Sequence, residues 1–326
     1  MRRREFFTLL GGAVGWPLGS HAQEPGRTYR LGALMPAPRQ SPAVHAMFDE
    51  LSRNGFIEGQ NLLVILGGFE VGNEDLTKLA AALVKAAPDV ILAGPAPPLR
   101  ALQAATPTVP VVGMSEDMVA EGLVSSLARP GGNITGISLL SPELDGKRQE
   151  ILIEAVPQAR RIAAMADSQA TPSYHLQALQ HAARSRGVDL SVFEVGGPEE
   201  IVSAIDAAKT SGAEALNFLA SPLFSVPGTR NNNVVLERVA SVRLPAIFQW
   251  PDTAEAGALA GYGPRFTDVY RQRARMVIKI LRGTKPADIP VEQPARFELV
   301  INLRAAKSIG HEIPAGLVLR ADEVIE

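Results

Sequence analysis

Three features predict an α/β fold of two doubly wound lobes: short continuous apolar runs, helical periodicity between them, and a second round of the same alternation after Arg160. The first buried strand is read at residues 30–35 (RLGALM) and the second at residues 61–66 (NLLVIL). Leu76, Leu79, Ala80, Leu83 and Val84 then recur at helical spacing with one apolar face, and Pro88 stops the helix. Strands at residues 89–93 and 109–113 follow, and near-continuous apolar strands of this kind belong to a parallel sheet covered on both faces.

Residues 127–133 (LARPGGN) are turn chemistry. After residues 134–140, Ser141 is a candidate cap and Pro142 a first helical residue, with Leu144, Ile151, Leu152, Ala155 and Val156 facing inward. Strands are then expected at residues 161–166, 190–195, 215–220 and 245–249, separated by helical patterns at residues 176–186 and 201–209. A later helix carries Phe266, Val269, Tyr270, Val277, Ile280 and Leu281 on one side and ends at Gly283 and Pro286. Residues 286–294 read as an extended crossover and residues 297–301 as a strand.

The chain has 326 residues, 46% hydrophobic and 20% charged, enough for two ordinary domains with real cores. Its net charge of −2 offers no concentrated basic face for nucleic acid or an anionic membrane. With no cysteine there is no thiol nucleophile, cysteine-held metal, disulfide or lipidated N-terminal Cys. Residues 1–22 order a positive start (Arg2, Arg3, Arg4), a short apolar stretch rich in glycine and a small-residue site before Gln23, which is the plan of a signal peptide cleaved near Ala22. Arg3, Arg4, Phe6 and Phe7 resemble a twin-arginine export motif. Losing three Arg and one Glu with that segment takes the charge from −2 to −4.

Four motifs, in order, are residues 129–136 (RPGGNITG), 285–294 (KPADIPVEQP), 297–303 (FELVINL) and 320–326 (RADEVIE). Together they resemble the ABC transporter substrate-binding protein family, which includes the tryptophan-binding TrpX-type receptors. The resemblance implies a type I periplasmic-binding fold: two Rossmann-like lobes joined by a three-crossover hinge, with the ligand in the cleft between them. It implies a first lobe of residues 28–138 and 258–290 and a second of 139–257 and 291–326. It also implies a periplasmic protein that takes a small solute to an ABC permease in the inner membrane, or a sensory protein whose closed form is read by a membrane receptor. No cofactor is expected, and the mature chain does not insert into the membrane. An amino acid, aromatic ones first, or a small aromatic acid is the expected solute.

Pocket residues are sought at strand carboxyl ends, where open α/β sheets bind ligands. Ser115, Glu116 and Asp117 follow the fourth strand and offer a hydroxyl beside two carboxylates, suited to an ammonium group, or else a solvated loop. Asp167 and Ser168 follow the first strand of the second lobe. Arg39 could pair with a ligand carboxylate or stay solvated. Phe224 and Trp250 come just past strands, where they stack on a ligand or pack into the core, and Tyr262 is expected to pack. The chain departs from the family pattern in this region, at residues 35–39, 94–98 and 115–118.

Catalysis has little support. His175 and His181 stand six apart, on different helix faces, and no metal-ligand spacing occurs. Gly146-Lys147 lacks the leading glycine of a phosphate loop, and no nucleophile, base and orienting group can be assembled.

Overall fold

The computed structural model describes residues 26–326 other than 66, 73, 74, 140, 170 and 172, and only the backbone of 141–143 and 173–175. The export-signal reading lies outside the described residues.

The first sheet is wholly parallel. Its strands are β1 (Tyr29–Leu34), β2 (Leu62–Val64), β3 (Val90–Ala93), β4 (Val111–Ser115) and β5 (Ile134–Ser138), in the order β2-β1-β3-β4-β5. Alternate residues face opposite ways along a strand, so the continuous apolar runs feed two cores. Leu31, Ala33, Val90, Leu92 and Val112 pack under α1 (Pro42–Arg53) and α10 (Phe266–Leu281). Leu34, Ile91, Ala93 and Val111 pack under α2 (Leu76–Lys85) and α3 (Ala96–Ala105). A fully buried aliphatic side chain contributes about 1.5–3 kcal/mol, so both faces hold the sheet.

α1 starts where Ser41 accepts from the Val44 amide and Pro42 takes the first turn. Gly136 has φ +152°, and a Cβ there would lie 2.1 Å from the Gly113 carbonyl oxygen, so β4 and β5 approach too closely for any side chain.

The second sheet has seven strands: β6 (Arg161–Asp167), β7 (Asp189–Val195), β8 (Ala215–Phe218), β9 (Ala246–Phe248), β10 (Ala260–Gly263), β11 (Glu298–Asn302) and β12 (Glu323–Ile325), in the order β12-β11-β10-β9-β8-β6-β7. All neighbours are parallel except β10 and β11. One face is covered by α4 (Ser141–Ala155), with α5 (Ser173–Ser185) beside it, and by α11 (Leu303–Ser308) and α12 (Ala315–Val318). The other is covered by α6 (Ile201–Thr210) and α8 (Arg230–Val242), with the short α7 (Pro222–Ser225) and α9 (Pro251–Glu255) at strand ends. One expectation changes here: residues from 258 were assigned to the first lobe, yet β10 pairs with β9 and β11 in the second sheet. The return to the first sheet is made after Gly263, where α10 packs on α1.

The chain passes between the sheets after β5, after β10 and before β11. The strands of passage are tied to one another: Leu139 N–H donates to Ser115 O at 3.0 Å, Ser138 N–H to Glu292 O at 3.0 Å and Glu292 N–H to Gly136 O at 2.9 Å. At the second passage Arg265 pairs with Glu255, Glu298 and Glu323. Burial pushes its guanidinium down, but the hydrogen bonds to Glu298, Glu255 and Glu323 outweigh that and raise it.

Candidate functional site

The carboxyl ends of both sheets face one crevice. Its inner part is a narrow cavity, with about 430 Å³ of space free of protein atoms once the open solvent at its entrance is counted. The first sheet and α10 contribute Met35, Met114, Ser115, Glu116, Tyr270 and Arg273 to it, the second lobe Ser221, Pro222, Val226, Gln249 and Trp250, and the first passage Leu139. A wider outer mouth of about 1840 Å³ shares Pro36, Pro95, Glu116 and Pro222 with it and adds Arg100, Glu121, Asp167, Ser168 and Glu199.

The loop after β4 supplies the acidic side. Ser115 is buried, and its hydroxyl donates to Glu121. Glu116 keeps some exposure through the cavity, but its carboxyl is surrounded by protein and accepts from Gln249 Nε2, across the lobes, at 3.3 Å. Burial, with the nearby charges of Asp145 and Glu121, pushes it up to about 8, against the pull of Arg148 and Gln249. Burial likewise raises Glu121, offset in part by the Ser115 hydroxyl. Asp117 turns out differently from the sequence expectation: its carboxylate accepts from the Val119 and Ala120 amides, 3.1 and 3.0 Å away, and is absent from the cavity wall. It caps a turn, a role short acidic side chains take readily.

In the second lobe, Asp167 is buried and accepts the Ser221 hydroxyl at 2.6 Å and the Gln169 amide at 2.9 Å. It therefore holds Ser221, which caps α7 by accepting from Leu223 N–H at 3.0 Å. Ser168 is exposed in the outer mouth. Trp250 is 3% exposed on the cavity wall and lies 4.7 Å from Phe266, so a second-lobe indole packs into the first lobe's core.

Two of the candidate residues stand away from the cavity. Arg39 lies over the Phe48 ring at 3.7 Å and pairs with Glu58, away from the cavity. Phe224 is fully buried in the second-lobe core, edge to face with Phe218 at 5.5 Å. Past a strand end the next turn can fold back under the sheet, and a large apolar ring gains more there than at a wet rim. Tyr262 packs against the core under α4, as read.

The sequence reading missed Gln249, Tyr270 and Arg273. Arg273 is fully buried on α10, with Nη2 donating to Ala93 O at 2.8 Å and Val112 O at 3.2 Å, where the β3–β4 ladder ends. Its Nε and Nη1 have no partner. Burial holds this guanidinium below its usual range, offset in part by Tyr270, whose ring centroid is 5.0 Å away. A readable signal existed: Arg273 is seven residues after Phe266, in the middle of an apolar stripe. Among the described residues, no group of three or more His, Asp or Glu could hold a metal ion, and no helix is long and apolar enough to cross a membrane.

Two α/β lobes closing around a cavity lined from both sides define a two-lobed solute-binding protein. Residues 36–325 match the family model described as ABC transporter substrate binding protein, and the chain belongs to that family, one of binding proteins and not of enzymes. The tyrosine-binding protein of Clostridioides difficile (strain R20291) is 23% identical over 287 residues, 86% of this chain and 79% of that protein. Among solved structures, an ABC domain in complex with L-Trp from Streptococcus pneumonia has a TM-score of 0.77 at 23% identity, covering 91% of this chain and 100% of that one. A ligand-free, open substrate-binding protein with adhesive properties from Clostridium difficile has a TM-score of 0.60 at 24% identity, covering 91% of this chain and 99% of that one.

Proposed function

We propose that this chain is the periplasmic solute-binding component of an ABC importer, exported by its N-terminal signal and cleaved near Ala22. The observation that carries the reading is the inner cavity, whose walls come from both lobes and the passage between them. A solute there touches Ser115, Glu116 and Met114 on one side and Ser221, Gln249 and Trp250 on the other. It favours the closed form by its differential contacts with both lobes, and an inner-membrane permease reads that form. Ser115, Glu116, Trp250 and, through Ser221, Asp167 are the site residues retained from the sequence; Ser168 belongs to the mouth. The apolar and aromatic wall suits an amino acid or a small aromatic acid, in keeping with relatives named for tyrosine and crystallised with L-Trp.

Thermal unfolding of residues 23–326 against amino acids, aromatic acids, sugars and nucleosides tests this. A true solute at a hundred times its dissociation constant adds about 2.7 kcal/mol of stability, and small-angle scattering then shows a more compact particle. A library without effect, or a saturating solute that leaves the scattering unchanged, defeats the reading.

A further inference from the structure

We propose that the inner cavity selects a small carboxylic acid with an apolar or aromatic body and no ammonium group, its carboxylate held by Arg273; this deepens, and rests on, the solute-binding reading.

Arg273 is a charge out of reach of water whose side-chain neighbour is the neutral Tyr270, two of its nitrogens lack a well-aligned acceptor, and no carboxylate of the described chain pairs with it. Arginine stays protonated in proteins, so such a group is stable only if something brings it an acceptor and a negative charge. It borders the cavity with these nitrogens just beneath the wall, so a solute carboxylate reaches them by a shift of the wall side chains. Most other side-chain donors on that wall, the Trp250 indole apart, are engaged within the protein: Ser115 to Glu121, Ser221 to Asp167, Tyr270 to the Met35 sulfur and the Gln249 amide to Glu116. The guanidinium is therefore the anion's natural partner.

The same wall argues against a zwitterion. An ammonium group needs an ionised carboxylate, and the one on the inner wall is Glu116, which burial and its acidic neighbours keep largely protonated at neutral pH. Asp167, the acid beyond it, already accepts Ser221 and Gln169. With Arg273 charged and Glu116 neutral, the cavity has one positive charge, which a monoanion cancels and a zwitterion does not. Met35, Met114, Leu139, Val226, Trp250 and Phe266 enclose what remains of the solute in hydrocarbon and aromatic surface.

Isothermal titration of the purified protein at pH 7 with phenylacetate, 3-phenylpropionate, phenylacetamide and phenylalanine, and of R273M with the same four, tests this. The acids are expected to bind wild type at least about tenfold tighter than the amide, which lacks the charge-assisted contact, and than the amino acid, whose ammonium is buried without an ionised partner. R273M is expected to lose about thirtyfold or more in acid affinity, while its melting temperature without solute does not fall. Acids that bind R273M undiminished, or phenylalanine that binds wild type as tightly as the acids, overturn the proposal and leave solute binding intact. If none of the four binds and the wider library is silent too, both readings fall. The acid-against-amide comparison is made on wild type, so it decides even if R273M does not fold.

Discussion

Arg265 and Arg273 stand about two turns apart on the α10 segment, and they are partnered in opposite ways. Arg265, at the helix start, meets carboxylates from α9, β11 and β12. Arg273, fully buried, meets two backbone carbonyls and no carboxylate. The same side chain does two jobs. A guanidinium that fastens the chain to itself comes with its anions, whereas one placed for a molecule from outside lacks them. Arg148 shows the first pattern at full burial, paired with Asp145 and donating to Tyr262 O at 3.1 Å.

If that contrast is right, substitution of the three arginines has different consequences. Arg148→Met should have the largest effect, a loss of about 3–5 kcal/mol in urea unfolding, because Asp145 is left buried without its cation. Arg265→Met should cost less, about 1.5–3 kcal/mol, and added salt should narrow the gap between variant and wild type by screening the partly exposed Glu255 and Glu323. Arg273→Met should change sign and stabilise the solute-free protein by about 1–2 kcal/mol, since an unpaired buried charge gives way to hydrocarbon. A loss of stability at Arg273 as large as at Arg265 would erase the distinction.

A pH profile rather than a single substitution energy tests Glu116. Its carboxyl is raised from an ordinary 4.5 to about 8 in the folded protein, facing Gln249, Asp145, Glu121 and Arg148. The folded state therefore binds more protons than the unfolded state between these values. The stability tied to Glu116 is complete below about pH 4.5 and is lost as pH rises to about 8, by at most about 1.4 kcal/mol per pH unit. Glu116→Gln should flatten that part of the profile in thermal unfolding between pH 5 and 8, and an unchanged slope would remove Glu116 as its source.

The strands were legible because a strand covered on both faces must be apolar throughout, as Val90-Ile91-Leu92-Ala93 is, with alternate residues in two different cores. Helices that open with turn-like residues were not. α3 begins with Ala96-Pro97-Pro98 and reads as a loop, although prolines in a first turn break no helical hydrogen bond. α8 begins with Arg230-Asn231-Asn232-Asn233, where the Thr229 side chain accepts the Asn232 amide and starts the helix. The lobe boundary at 258 rests on the family resemblance, and β10 (AGYG) is too short for its own pattern to name the sheet it joins.

At the site, position after a strand found Ser115, Glu116 and Trp250, but it could not tell a wall residue from one that folds under the sheet, as Phe224 does, or one that closes its own turn, as Asp117 does. Arg273 escaped because the search followed strand ends, and it arrives from a helix.

Leu139 belongs to the cavity wall and to the first passage between lobes, 2% exposed and bonded through its amide to Ser115 O. The jaw and the pivot therefore meet in one residue. Whatever packs on Leu139 presses on the axle about which the lobes turn, so an occupied cavity is felt at the pivot directly and without a relay through either domain.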